Sequence, residues 1–462
     1  MPPAASRLLL GTFLAIVLSF ASPTVWAHAK FNESTPTADS VLENAPHEIV
    51  LHFSQAVTPV SVTLSGANGE PVDAGGEAAA NDERVTLAIP KELAPGGYEV
   101  SFSVLSGDAH SITGNFRFSI AAPMIAEQAK TEVTSEVLQT DSRPAKPAEP
   151  EEDAAKYISL GSFEQIARAG FIVTLLLGVG LVLFRVSVPL PEALDTWVDT
   201  RIRVVGSIGL GVAVVYLFIA TIAVTGLETF RPRHLYVLLQ TSIGVSLVLA
   251  SIGFMFLAMS ATTQRILMGI AAALLVVSRV ATGHPASQDP ALLLVPSMTI
   301  HVAAAGFWFA SLWVLLHLLR KGPLADAPGI LNRFSQVAQW SVCALLAAGV
   351  LMGAVHLGSL DALLTTEYGN TLLWKLLGVA GLLVIAVVNK IWLTPQLATS
   401  YDPGTLKRTM RLEAVLMVAV IALSTILAAT PPAAESSETA SVNSSHAERV
   451  TSLFSRGGHI EH

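Results

Sequence analysis

Tyr98-Glu99-Val100-Ser101-Phe102-Ser103-Val104-Leu105-Ser106-Gly107-Asp108-Ala109-His110 alternates apolar and polar side chains from Tyr98 to Val104, then runs into a polar turn. Alternation with a period of two is the pattern of a strand with one buried face. Working outward, similar short runs occur at Glu48–Phe53, Val60–Leu64, Val85–Ile89 and Phe116–Ile120. Gly66-Ala67-Asn68-Gly69, Gly75-Gly76 and Pro95-Gly96-Gly97 separate them as turn formers. Evenly spaced strands of this kind predict an all-β domain over residues 28–120, a small Greek-key sandwich.

Upstream of that domain, residues 1–27 read as a secretory signal. Arg7 is followed by an apolar run from Leu8 to Phe20, and small residues lead to Val25-Trp26-Ala27. The run is 13 residues long, short of the roughly 20 that a bilayer span needs. Cleavage after Ala27 makes His28 the first residue, so that its α-amine and its ring Nδ1 can both reach one metal ion. In an extended chain Asp108 and His110, two residues apart, project to the same side. Two imidazoles, an amine and a carboxylate form a tetragonal N,O set that suits Cu(II). Asp-x-His alone is a weak signal and reads equally as a polar loop. His47 and His52 complete the histidines of the domain, and His52 alternates with Leu51 and Phe53, which turns it away from the core.

The rest of the chain is of a different class. Apolar residues make up 52% of the sequence and charged residues 13%, and several apolar stretches are long enough to cross a bilayer. Eight spans are predicted, at 163–186, 204–226, 236–259, 265–281, 296–319, 335–356, 372–393 and 411–429. Residues 121–157, rich in Glu, Lys, Ala and Pro, read as a disordered linker, and 431–462 as a disordered tail. An even number of spans puts the tail on the same side as the β-domain. Arg185, Arg201, Arg203, Arg265, Arg320, Lys321, Arg333, Lys390, Lys407, Arg408 and Arg411 then fall at cytoplasmic ends, against only Arg231 and Arg233 outside. The β-domain is acidic, with 12 acids and 4 bases, whereas residues 158–430 hold 11 acids and 16 bases. That balance favours a cationic partner outside the membrane and excludes nucleic acid. Cys343 is the sole cysteine, so no disulfide framework exists.

This topology places His234, His284, His301 and His356 toward the outer side and His317 toward the cytoplasm. Met298 and His301 are spaced i, i+3 and Met352 and His356 i, i+4, so each pair shares a helix face. Imidazole with thioether suits copper, and thioether favours Cu(I); core methionines beside interfacial histidines give the same pattern. Arg279, Lys375 and Glu413 are costly inside a span. All three are expected to face a bundle interior or an interface; Arg279 and Lys375, near the outer surface, also fit snorkelling, and Glu413, two residues after Arg411, an interfacial place at the cytoplasmic end.

Two resemblances emerge from these residues. His28-Ala29-x-Phe31-x-x-Ser34-x-Pro36, Ala45-Pro46-x-x-Ile49-x-Leu51-x-Phe53-Ser54, Gly107-Asp108-x-His110 and Gly114-x-Phe116 resemble the periplasmic copper protein family CopC. The resemblance implies a cupredoxin-like sandwich with Cu(II) on His28, Asp108 and His110. The methionine-rich Cu(I) site of some CopC proteins has no counterpart, because residues 28–120 contain no methionine. Thr282-Gly283-His284-Pro285, His301-x-x-Ala304-Ala305-x-Phe307-Trp308-x-x-Ser311-Leu312-Trp313, Tyr368-Gly369, Lys375, Asn389 and Arg411-x-Glu413 resemble the copper-resistance membrane family CopD. Together they imply an inner-membrane protein, not an enzyme. It captures copper in the periplasm and passes it inward through His284 and His301; Met298, Met352 and His356 extend that set on their helical spacing alone, not on the resemblance. A periplasmic copper chaperone and a reductant are the partners implied. A membrane redox enzyme using copper or haem, and a copper store or sensor without flux, remain the alternative functions.

Overall fold

The computed structural model describes residues 29–121 and 151–430, apart from 67, 73–77, 82, 90–92, 107–110, 226–231, 261–264, 281–290, 323–325, 401–402 and 429. Two compact units make up the chain. One comprises Trp26–Phe163 with Ala220–Thr241; the other comprises Met1–Val25, Glu164–Ile219 and Ser242–His462.

The β-domain has nine strands: β1 (Phe31–Thr35), β2 (Val41–Leu42), β3 (Glu48–Phe53), β4 (Val57–Gly66), β5 (Pro71–Val72), β6 (Ala79–Asn81), β7 (Arg84–Ala88), β8 (Gly96–Ser106) and β9 (Ser111–Ile120). They form a four-stranded sheet ordered β1-β3-β7-β6 and a five-stranded sheet ordered β2-β9-β8-β4-β5. The period-two reading holds on β8, where Tyr98, Val100, Phe102 and Val104 are buried. Ile49, Leu51, Phe53, Val85 and Leu87 from the first sheet meet Leu64, Phe116 and Phe118 from the second in one core. His52 is half-buried between Leu51 and Phe53, both inside, as its alternation requires. On β4 the register slips between Pro59 and Ser61; a proline has no N–H for the ladder, and a bulge accommodates it.

One glycine in this core has a steric reason. Gly114 pairs with Phe102 across β8 and β9, and a Cβ at Gly114 would come 2.6 Å from the Phe102 ring. That ring is fixed by Phe31 at 5.0 Å and Phe53 at 5.9 Å. Gly114→Ala should therefore overpack the aromatic trio and destabilise the domain by about 1–3 kcal/mol, measured as faster proteolysis of the β-domain. Unchanged resistance would mean that the ring has room to move.

The helical body contains α1 (Glu151–Ser187), α2 (Glu192–Thr225), α3 (Pro232–Leu239), α4 (Ser242–Met259), α5 (Arg265–Val280), α6 (Ala291–Lys321), α7 (Ala327–Leu357), α8 (Ala362–Thr365), α9 (Glu367–Val388), a π-helical turn (Asn389–Leu393), α10 (Thr394–Ser400) and α11 (Gly404–Leu427). Helix α1 begins inside the stretch expected to be linker. Among the described residues seven helices are long and apolar enough to cross a membrane, where eight were expected. The difference is α5: at 16 residues it rises about 24 Å, less than the roughly 30 Å of a hydrocarbon core. It buries Met268, Gly269, Ala271–Ala273, Leu275–Ser278 and Val280 against its neighbours.

Close approach organises the crossing of α1 and α6. A Cβ at Gly180 would lie 1.9 Å from the Gly306 carbonyl oxygen, so the two backbones touch, the small-residue packing that membrane helices use. At the α1–α2 corner Arg185 spans Asp195 (2.8 and 3.0 Å) and Asp199 (2.8 Å), while Arg203 reaches Asp199 at 3.1 Å. Two arginines around fully buried Asp199 satisfy a charge that would otherwise be prohibitive there.

Candidate metal sites

In the β-domain the expected Cu(II) ligands His28, Asp108 and His110 lie outside the described residues. Their anchors do not. Strands β8 and β9 are paired up to Leu105 and Ser111, so residues 107–110 are the whole link of a hairpin. At the other anchor, Lys30 N donates to Ser54 Oγ (2.8 Å), Ser54 N donates to Lys30 O (2.8 Å), and Ala29 is buried in the core. Phe31 then packs against Phe102, four residues before the hairpin begins. Among the described residues no three His, Cys, Asp or Glu side chains come together in a way that could hold a metal.

In the helical body, His284 is likewise outside the described residues. His301 is on α6 and turns its ring toward α7, where a Cβ at Gly349 would meet Cε1 at 3.6 Å and Nδ1 at 3.8 Å. Its Nδ1 is buried and has no hydrogen-bond partner among the described residues. Buried polar atoms in folded chains are nearly always paired, so this one needs a reason. Lys375 on α9 and Arg279 on α5 both lie near enough to act on His301 electrostatically. Both cations are half-buried, as a place at a bundle interior or interface requires.

His356 is buried at the end of α7, its Nδ1 lies 2.6 Å from the Met352 carbonyl oxygen, and its ring faces Tyr368 at 6.4 Å. The i, i+4 spacing brings its Nδ1 to the backbone of Met352, which fixes the ring and leaves Nε2 as the nitrogen that could meet a metal. Met298 and Met352 are half-buried. His317 stacks on Trp197 at 3.8 Å, with Arg201 on the same indole at 5.1 Å. His234, on α3, is buried and lines a small cavity with Pro59, Val60 and Leu105.

For Glu413 the structure selects the bundle interior over the interface: it is 4% exposed. Trp308 Nε1 donates to its Oε1 (2.7 Å) and Asn389 Nδ2 to its Oε2 (2.8 Å), while Thr409 Oγ1 donates to Asn389 Oδ1 (2.5 Å). Three helical segments meet on one carboxyl group. The hint in the sequence was its chemistry: an acid in an apolar helix must find partners or face water.

Comparison with known proteins now decides the family. Residues 31–121 match the CopC domain, and residues 328–427 match Copper resistance protein D, CopD. Copper resistance protein C of Escherichia coli is 34% identical over 104 residues, covering 20% of this chain and 82% of that protein. The chain belongs to the copper-resistance family, with a CopC and a CopD domain in one polypeptide.

A relative of both domains together is Copper transport protein CutJ of Bacillus subtilis (strain 168), 24% identical over 446 residues, 90% of this chain and 77% of CutJ. The crystal structure of CopC from Methylosinus trichosporium OB3b aligns at 29% identity over 20% of this chain and 94% of that one, with a TM-score of 0.19. The CopD match spans α7 to α11. Asn389, Thr409 and Glu413 fall within it, and Trp308 and His301 come from α6 outside it.

Proposed function

We propose that the CopC domain captures Cu(II) outside the inner membrane through His28, Asp108 and His110, in a cupredoxin-like Greek-key frame. The helical body then carries copper inward. Chain lengths permit the capture site: three residues separate His28 from Phe31, six separate Asp108 from Phe102, and each residue spans up to about 3.3–3.6 Å. In this reading α5 counts as an eighth crossing, which leaves the β-domain and the tail on the outer side.

The observation that carries transport is the orphan Nδ1 of His301. An unpaired buried nitrogen costs roughly 1–3 kcal/mol, and a passing metal ion is a partner that removes the cost. The charge of that ion follows from the surroundings. Lys375 and Arg279 act on this site, and Coulomb repulsion between them and the ion scales with its charge. A monovalent ion is repelled half as strongly as a divalent one, and Met298 on the same helix face is a soft donor that favours Cu(I), so we take Cu(I) as the species carried. Reduction of Cu(II) between capture and passage then requires a reductant outside the chain, and a periplasmic chaperone is a natural donor.

The direct test uses the full chain in sealed vesicles. Copper should accumulate inside in the presence of a reductant, and vesicles without the protein should stay empty. Copper that is bound by the protein but never enters the vesicle lumen would reduce the function to storage or sensing.

A further inference from the structure

Glu413 has no part in copper binding as proposed, yet it is the most elaborately held acid in the body. The elements packed against α11 are α9 with its π turn and α6. Their ionisable groups are His301, His317, Arg320 and Lys321 on α6, Glu367, Tyr368 and Lys375 on α9, and Lys390 in the turn. On α11 itself they are Lys407, Arg408 and Arg411. None of these is hydrogen-bonded or ion-paired to Glu413, whose partners are the neutral Trp308 and Asn389. Hard oxygen and amide groups of this kind do not suit Cu(I), so metal is not the ligand that the site fits.

A proton is. In the arrangement seen, both carboxylate oxygens accept, and Thr409 donates to Asn389 Oδ1. Thr409 Oγ1 also lies 3.0 Å from the Leu406 carbonyl oxygen. If the Asn389 amide turns over, its Oδ1 can accept from a protonated Glu413. Its Nδ2 then donates to Thr409 Oγ1, and the Thr409 hydroxyl swings to Leu406 O. Trp308 Nε1, which can only donate, stays on Oε1 throughout. Every hydrogen bond lost in one charge state is replaced in the other, so a proton can be taken up and released without leaving a buried group unpaired. A purely structural carboxylate needs no such reserve. The π turn that presents Asn389 is itself a geometry concentrated at functional sites.

We propose that Glu413 is a proton-binding site, switched by rotation of the Asn389 amide and the Thr409 hydroxyl. Resting on the transport reading above, that proton moves in step with copper. The protonation step adds one proton to a carboxylate oxygen and returns it on release; no electron is exchanged.

Infrared difference spectra of the purified full chain, titrated with acid, should show the carbonyl stretch of a buried protonated carboxyl. Glu413→Gln should abolish that band, and Asn389→Val, which deletes the acceptor of the carboxyl hydroxyl, should shift it. A missing band, a band that survives Glu413→Gln, or one unmoved by Asn389→Val overturns the site. In vesicles holding a pH-sensitive dye, copper uptake should be accompanied by a proton signal that Glu413→Gln loses. Copper uptake without a proton signal in the unaltered chain overturns the coupling. Absence of copper uptake overturns the transport reading instead, and the infrared result still decides whether Glu413 binds a proton.

Discussion

Placing one extra residue ahead of His28 in the mature chain should weaken Cu(II) binding by more than the roughly 10–100-fold that loss of an outer-shell partner costs. The extension leaves the imidazole in place but turns the α-amine into an amide, which cannot bind as a neutral nitrogen donor. His110→Ala should produce a loss of the same order, with a changed copper electron paramagnetic spectrum. His52→Ala should alter neither, since His52 sits mid-strand between Glu33 on β1 and Arg84 on β7. The sign of the pH dependence follows from the ligands. The free amine has a reference pKa of about 7.7–8.0 and histidine about 6.5, and both must be unprotonated to bind. Affinity should therefore fall as pH drops through that range, and the extended variant should lose the higher of the two components. Unchanged affinity on extension would remove His28 from the site.

The anchors of that site were legible because they obey short-range rules. The period of two from Tyr98 to Val104 reports one buried face, and the structure buries those residues. Strand β1 was not legible. Of Phe31-Asn32-Glu33-Ser34-Thr35 only Ser34 is buried, so no alternation marks it, and its strand character comes from pairing with β3. Helical spans were legible from apolar length, and seven of the eight coincide with helices long enough to cross, while the described part of α5 falls short of that length. What sequence could not supply was which face of each helix meets which neighbour. Glu413 lies near the end of its span, and depth alone predicts an interface. Its burial is decided by Trp308, which is 105 positions away in the chain. For His356 the spacing to Met352 was legible, but not that the contact runs from Nδ1 to the Met352 carbonyl.

His301→Ala should abolish copper accumulation while leaving both the amount of protein in the membrane and Cu(II) binding by the CopC domain intact. The reasoning starts from what His301 does not do. Its Nδ1 has no hydrogen-bond partner among the described residues, and the ring's remaining hold on the fold is a hydrogen bond to the backbone of Leu345. A purely structural histidine would show loss of protein on truncation. His284→Ala should give the same transport defect if that residue passes copper to His301 at the outer mouth. Uptake of Cu(I) should also exceed uptake of Cu(II) when each is offered to the unaltered chain, as the cations at Lys375 and Arg279 demand. Normal accumulation by His301→Ala, or failure only because the protein disappears from the membrane, would remove His301 from the path and leave its unpaired nitrogen without a function.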